Sequence, residues 1–113
     1  MTSYQINKLD RLFQQKVCEQ PSLLGGVATV GHHFTHKTAG LAMRWYLPDG
    51  IPLTKDQHDK LHGKNREEME ARIIFSKPMA WQLDLIARKN ITAKNIKYQN
   101  VVDYLEGRRS DYL

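Results

Sequence analysis

Residues 31–62 read GHHFTHKTAGLAMRWYLPDGIPLTKDQHDKLH, and this stretch contains all five histidines of the chain. His32, His33 and His36 lie close together, and His58 and His62 follow four residues apart. Residues i and i+4 share one face of a helix, so two imidazoles can reach one ion there. Imidazole is the commonest ligand for transition metals and also a proton acceptor near neutral pH. A third histidine from a preceding strand or loop would complete a three-histidine site with one open position.

The length and charge of the chain limit its class. Its 113 residues fit one small domain, 1–113, with a modest hydrophobic core. Lys and Arg total 17 against 12 Asp and Glu, which gives a net charge of +5. A basic chain of this size favours polyanions, and nucleic acid is the usual one. Many small proteins are basic without such a partner, so the charge supports this interpretation only weakly.

The single cysteine, Cys18, excludes an internal disulfide framework and an all-cysteine zinc site. It is compatible with a reducing cytoplasm. The first residues lack the apolar segment of a secretory signal peptide. No stretch approaches the roughly 20 apolar residues that span a bilayer. We therefore expect a cytoplasmic protein without a membrane partner.

Hydrophobic periodicity and turn residues predict the elements that lead up to the second histidine pair. These are a helix over 4–19, a strand over 27–34, a second strand over 41–47, a turn at 48–50 and a short extended segment over 51–53. Thr54 and Gln57 form a capping box that begins a helix at Lys55, which carries His58 and His62.

The remainder of the chain is predicted to be helical. Three features are expected there: a helix capped by Asn65 and running to Ile74, a helix with Pro78 as its first residue, and a broken helical region capped by Thr92. Residues 107–110 are expected to form a frayed basic tail.

The order of these features resembles the HNH, or ββα-metal (His-Me finger), nuclease family. In that family a strand ends in a metal ligand followed by the catalytic histidine, and a helix supplies further ligands. Asp49 stands nine residues before His58, at the position of the family's asparagine, and Leu53 stands at its apolar position. The resemblance implies an α+β fold with a small ββα-metal core over 27–65 and a short β-hairpin. An N-terminal helix within 1–26 and C-terminal helices within 66–113 would flank this core.

The resemblance also implies roles for individual residues. His32, His58 and His62 become metal ligands, and His33 becomes the general base. The family's asparagine braces the catalytic loop, and Asp49 can accept the same hydrogen bonds but cannot donate an amide proton. Alternatively, Asp49 could orient the base histidine as a carboxylate partner. Many family members bind a structural zinc through Cys-x-x-Cys pairs, which this chain lacks, so no structural zinc is expected.

Two phrases, Gly-His-His-Phe and Arg-Trp-Tyr-Leu-Pro-Asp-Gly-Ile-Pro-Leu, are similar to the small phage-encoded recombination nucleases of the NinG/Rap type. This finer resemblance implies an endonuclease that hydrolyses DNA phosphodiester bonds in recombination, repair or DNA processing. A phage-encoded member would act in the host cytoplasm. The implied cofactor is a divalent metal ion (Zn, Ni, Mn or Mg), and an all-nitrogen site should hold Mg more weakly than the others.

Four cations near the histidines are candidate phosphate contacts: Lys37, Arg44, Lys60 and Lys64. His36 is interpreted as a surface or phosphate-contacting histidine, because no spacing argument makes it a ligand.

Three functions compete at this point. They are a metal-dependent endonuclease, a non-catalytic DNA-binding or adaptor module that keeps the metal site, and a structural zinc protein. His33 favours catalysis, because a purely structural site has no use for it. DNA and RNA stay alternatives as substrates, as do branched, single-stranded and linear forms. The oligomeric state is open, with a homodimer among the alternatives.

Overall fold

The computed structural model describes residues 1–113 as a small α+β domain with six α-helices and a two-stranded sheet. The elements are α1 (Ser3–Val17), β1 (Val30–His33), α2 (Leu41–Arg44), β2 (Gly50–Leu53), α3 (Lys55–Leu61), α4 (Arg66–Phe75), α5 (Met79–Lys89) and α6 (Tyr98–Leu105). Short 3₁₀ turns at Lys37–Ala39 and Leu47–Asp49 lie in the connection between the strands. None of the helices has the length and apolar character needed to cross a membrane.

The two strands are antiparallel, with His32 opposite Ile51 and His33 opposite Gly50. Successive side chains of a strand point to opposite faces of the sheet. The apolar residue Ile51 therefore enters the core on one face. On the other face α1 lies so close that a Cβ on Gly50 would collide with Val17 and Phe13. Glycine at this position allows α1 to pack directly on the strand backbone.

Two hydrophobic clusters cover the two faces of the sheet. The first joins α1 and α6 to Trp45 and the C-terminal Tyr112; its buried members are Leu9, Phe13, Val17, Trp45, Val101, Tyr104, Leu105 and Tyr112. The second joins β2 to α3, α4 and α5; its buried members are Met43, Ile51, Leu53, Leu61, Met69, Ile73, Trp81 and Leu85. The first cluster anchors α1, and the second anchors α3, so both helices are fixed relative to the sheet.

The prediction of a strand over 41–47 is wrong. Leu41–Arg44 forms the short helix α2, and the partner of β1 is β2. Gly40 has a φ of 129°, a conformation that favours glycine, and this allows the chain to turn into α2. Ala42 and Met43 are then buried within the helix. The first strand is also shorter than 27–34, because only Val30–His33 pairs with β2.

The predicted capping box of α3 is confirmed. The Thr54 hydroxyl accepts from the Gln57 backbone N–H, and the side-chain Oε1 of Gln57 accepts from the Thr54 backbone N–H. Gln57 also ties α3 to the preceding loop, since its side-chain amide donates to the Gly25 carbonyl at 2.9 Å and its oxygen accepts from the Ser22 hydroxyl. His58 lies within the helix and His62 is its C-cap. Both ends of the histidine pair are therefore fixed by local structure.

The C-terminal predictions are wrong in two respects. Helix α6 begins at Tyr98, after Lys97 as N-cap, and not at Thr92. Residues 107–110 are not frayed, because the Arg108 guanidinium donates to the Asp103 carboxylate at 3.0 and 2.8 Å. Beyond them Tyr112 is only 1% exposed, and its hydroxyl donates to the Ala42 carbonyl at 2.7 Å. The buried Arg88 of α5 binds both carboxylate oxygens of Asp111. The polar tail is therefore ordered by long-range contacts.

Smaller boundary predictions agree closely with the structure. Asn65 is the N-cap of α4, although its side chain makes no capping hydrogen bond. Pro78 is the N-cap of α5 and not its first residue, and Met79 begins the helix. A proline fits here because it lacks the backbone donor that a helix start leaves unpaired.

Candidate metal centre

The neighbouring histidines of β1 point to opposite faces of the sheet, as the strand geometry requires. His32 faces α3, where its ring lies 5.4 Å from that of His58 and 5.8 Å from that of His62 between centroids. His33 faces α1 and stacks on Phe13, with centroids 4.7 Å apart and ring planes 16° apart. One dipeptide thus supplies two imidazoles with separate surroundings.

The structure brings together the three histidines predicted to bind metal. One ring nitrogen each of His32, His58 and His62 lies within 4.8 Å of the other two. The Nε2 atoms of His58 and His62 are 3.0 Å apart. These two rings are steeply inclined to each other, at 75°. The nitrogen atoms of the three rings are therefore close enough together to share one ion.

The donor set suits a transition-metal ion. Nitrogens at about 2.0–2.1 Å from one tetrahedral zinc ion would lie about 3.3 Å apart. The separation of 3.0 Å between two of the nitrogens is close to that distance, and the His32 nitrogen lies within 4.8 Å of both. Three nitrogen donors leave a fourth position open, which is the pattern of catalytic zinc sites and not of structural ones. Soft or borderline ions such as Zn, Ni and Co prefer imidazole nitrogen over the oxygen ligands of Mg.

Electrostatics favour the neutral, metal-binding form of the cluster. Burial lowers the pKa of His32 to about 4, and the nearby His58 and His62 add to this effect. Burial also lowers the pKa of His58, with His62 as the second cause. A neutral imidazole keeps a free lone pair, whereas a protonated one has none to offer. At neutral pH His32 and His58 are therefore ready to coordinate a cation.

His33 is held with one nitrogen bound and the other free. Its Nε2 lies 2.9 Å from the backbone carbonyl oxygen of Arg44. A carbonyl can only accept, so Nε2 carries the proton and Nδ1 keeps the lone pair. Burial lowers the pKa of His33, which favours the neutral ring at pH 7. His33 therefore has the tautomer and charge that a proton acceptor needs.

Asp49 braces the loop after β1 and does not orient His33. Its Oδ1 accepts from the Thr35 backbone at 2.8 Å, and its carbonyl accepts from the Phe34 backbone at 3.0 Å. The carboxyl is fully buried, and Oδ2 has no hydrogen-bond partner. The alternative that Asp49 is the carboxylate partner of His33 is wrong, because the Arg44 carbonyl takes that place. Asp49 acts on the site by fixing the course of residues 34–35.

The buried Asp49 should make stability depend on pH. Burial raises its pKa to about 7, while an unfolded chain has an aspartate pKa of about 3.9. The folded state therefore binds this proton more tightly, and the stability it contributes is lost as pH rises from about 4 to about 7. Asp49→Asn keeps the acceptor for Thr35 and removes the ionisation. As pH rises across this range, the free energy of unfolding of the parent should fall by on the order of a few kcal/mol more than that of Asp49→Asn.

Urea denaturation of both proteins at about pH 4.5 and about pH 8, in chelator, measures this difference. The histidines are common to parent and variant, so their titration cancels in the comparison. An equal stability difference at both pH values would show that Asp49 does not titrate in this range.

The four cations predicted to contact phosphate differ in exposure and in ion pairing. Lys37 is exposed and lines the cleft over the histidines. Lys60 is exposed but paired with Asp56, and Lys64 is exposed without an ion pair. Arg44 makes two hydrogen bonds to the Asp10 carboxylate at 3.0 and 2.8 Å, and its side chain is only 21% exposed. This arginine supports the site structurally and is not free to bind a phosphate.

Helix α1 contributes side chains that the sequence pattern missed. Gln14 binds the Gly31 backbone twice, donating to its carbonyl at 2.6 Å and accepting from its amide at 2.7 Å. This clamp fixes β1 directly before His32. Asp10 binds both the Arg44 guanidinium and the Trp45 indole N–H, the latter at 2.9 Å. The available signal was the helical spacing of Asp10 and Gln14, which places them on one face beside Phe13.

Cys18 lies outside the site. It is partly buried at the C-cap of α1, and burial raises the pKa of its thiol. We expect Cys18→Ser to leave metal stoichiometry unchanged, because the thiol is not among the converging ligands. Metal analysis of the purified variant beside the parent checks this, and loss of bound metal would contradict it.

The site as a whole combines three converging histidine nitrogens that could hold a metal ion, on one face of β1, with the free Nδ1 of His33 on the other. The cleft above them has a volume of about 700 Å³. Such a site can hold a cation, bind an anion beside it and accept a proton from water. Comparison of the chain with protein-family models, with curated proteins and with solved structures finds no match.

Proposed function

We propose that this chain is a metal-dependent endonuclease of the HNH, or ββα-metal, type, which hydrolyses phosphodiester bonds in DNA. One observation carries the proposal. His32 joins His58 and His62 on one face of the sheet, while the next residue, His33, keeps a free Nδ1 on the other. A site that only binds metal would use His32, His58 and His62 but would have no use for His33. This fourth histidine, oriented and neutral, is what water activation requires.

The order of elements supports the same proposal. The strands β1 and β2 pair in antiparallel fashion and are followed directly by α3, which is the order strand, strand, helix of the ββα-metal core. The proposed ligands lie at the end of the first strand and on the helix, as the family resemblance implies. Asp49, in place of the family's asparagine, braces the loop between the strands.

His33 takes the proton in the proposed reaction. A water molecule near its Nδ1 loses a proton to that nitrogen as the oxygen attacks phosphorus. The Arg44 carbonyl holds the opposite N–H, which keeps the ring in the correct tautomer throughout. Phe13 stacks on the ring and limits its rotation.

His32, His58 and His62 would hold the divalent ion. The chemistry that such an ion supplies when bound is polarisation of a phosphate oxygen and stabilisation of charge on the departing 3′ oxygen. Lys37 and Lys64 are the exposed, unpaired cations of the predicted set and would contact neighbouring phosphates. Lys60 could join them by releasing Asp56, because a surface ion pair of this kind is weak.

Cleavage of a panel of labelled substrates tests this proposal. Single-stranded, duplex and branched DNA and the matching RNA are incubated with protein and Zn, Ni, Co, Mn or Mg. We expect cleavage of at least one DNA substrate with a transition metal and less with Mg. His33→Ala, purified identically, controls for contaminating nucleases. Binding of DNA without cleavage under any metal would contradict the proposal and favour the non-catalytic module.

A further inference from the structure

We propose that helix α1 and the turn at His36–Lys37 form a phosphate-binding groove beside the histidine cluster, with Arg11, His36 and Lys37 as its contacts to a nucleic-acid strand. This inference rests on the proposed function and extends it to residues outside the ββα core. The groove is the cleft of about 700 Å³ described above, and its walls come from three parts of the chain. The lining residues are Asp10, Arg11, Gln14 and Gln15 of α1, residues 30–33 with His36 and Lys37, and the α3 pair His58 and His62.

The charge of the groove favours an anion. Apart from histidines, its charged lining residues are Asp10, Arg11 and Lys37. The Asp10 carboxylate is neutralised by the bidentate Arg44. Arg11 and Lys37 are both exposed, and neither belongs to any of the eight ion pairs of the chain. Two uncompensated cations in a concave surface concentrate the positive potential there.

His36 adds a hydrogen-bond donor to the same groove. Its Nδ1 lies 2.7 Å from the Thr38 hydroxyl, which can donate, and 3.3 Å from the Thr38 backbone N–H, which can only donate. Nδ1 is therefore the acceptor, and the exposed ring carries its proton on Nε2. The two rings differ in which nitrogen stays free. His36 leaves its Nε2–H free as a donor, whereas His33 has its Nε2–H bound and leaves Nδ1 free as an acceptor. A phosphate oxygen accepts hydrogen bonds, so it matches the free Nε2–H of His36.

The shape of the groove favours a strand over a single small anion. Its volume is several times that of one phosphate group, and its contacts extend along α1 past the histidine cluster. Gln15 is an exposed, uncommitted amide on this wall, of the kind that contacts sugar and phosphate. The net charge of +5 on the whole chain favours the same polyanion.

Anisotropy of one fluorescent oligonucleotide, single-stranded and as a duplex, tests the two cations. Arg11→Ala and Lys37→Ala are compared with Lys94→Ala, an exposed lysine that does not line the groove. Each groove variant should weaken binding about 2–5-fold at low salt, and lower the slope of log K against log salt by about 0.7–0.9. Lys94→Ala should match the parent in both. If the groove variants match Lys94→Ala in both affinity and salt slope, the proposal is overturned.

Two substitutions of His36 separate its contact from its role in the turn. His36→Asn places an amide oxygen near the position of Nδ1 and keeps the Thr38 cap, but it loses the donor at Nε2. His36→Gln places an amide N–H near Nε2 and loses the cap. We expect weaker binding for His36→Asn and nearly parental binding for His36→Gln. The reverse order would show that His36 acts only through the turn, and would remove it from the groove.

The results of these experiments distinguish failure of the groove proposal from failure of the nuclease proposal. A parent protein that cleaves DNA, with groove variants equal to Lys94→Ala in affinity, would overturn the groove alone. A parent that binds no oligonucleotide at all would overturn both. Weaker binding by the groove variants in a parent that binds without cleaving would support the groove and contradict the nuclease.

Discussion

Replacement of His33 by alanine should lower the rate of DNA cleavage by about 10²–10⁴-fold, the usual contribution of a positioned general base. His33 has a free Nδ1, a fixed tautomer and a pKa lowered by burial, so it is neutral and ready to accept a proton. It is not among the three converging histidines that are proposed to hold the metal. His33→Ala should therefore keep both metal stoichiometry and affinity for DNA.

Single-turnover cleavage, metal analysis and anisotropy on one preparation measure these three properties. Lys94→Ala is the control, because Lys94 is exposed, lies outside the cleft and leaves the proposed base intact. Its cleavage rate should be near that of the parent. A His33→Ala protein that cleaves as fast as the parent would exclude His33 as the base. Loss of metal in this variant would instead place His33 among the ligands.

Replacement of His58 by alanine should abolish metal binding and cleavage together. His58 supplies one of three nitrogens, and its Nε2 lies 3.0 Å from that of His62. Loss of a residue that only supports a ligand commonly costs about 10–100-fold in metal affinity, so loss of a ligand itself should exceed this. His58 is only partly buried on α3, and its replacement leaves both hydrophobic clusters intact.

Competition for zinc with a chromogenic chelator measures the affinity of His58→Ala, and circular dichroism confirms that α3 is retained. His36→Asn removes an imidazole outside the converging set, so it serves as the control here and should keep parental affinity for the metal. Parental metal affinity in a folded His58→Ala protein would show that the ion binds elsewhere or that no histidine cluster holds it.

The sequence predicted the elements whose signals are local. The capping box of Thr54 and Gln57 located the start of α3, and amphipathic spacing located α1 within two residues at either end. The spacing of His58 and His62 predicted their convergence. The alternation of side chains along β1 separates His32 from His33, and the resemblance implied that these two histidines have different roles.

The elements that depend on distant contacts could not be predicted. Helix α2 has only four residues, too few for a helical period to appear, and its form depends on the burial of Ala42 and Met43. The order of the chain end depends on the hydrogen bonds of Arg88 to Asp111 and of Tyr112 to Ala42, which span 23 and 70 residues. The pairing of Arg44 with Asp10 spans 34 residues and removes a predicted phosphate contact. Local patterns carry no information on such pairs.

Cleavage is expected to depend on an ion held by the histidine cluster. Titration of chelator-treated protein with Zn²⁺ or Co²⁺, followed by relaxation of a supercoiled plasmid, measures this dependence. We expect no cleavage before the addition and full activity at about one equivalent of metal per chain, the stoichiometry of a single three-histidine site. Equal cleavage with and without metal, or none at any metal concentration, would contradict the claim.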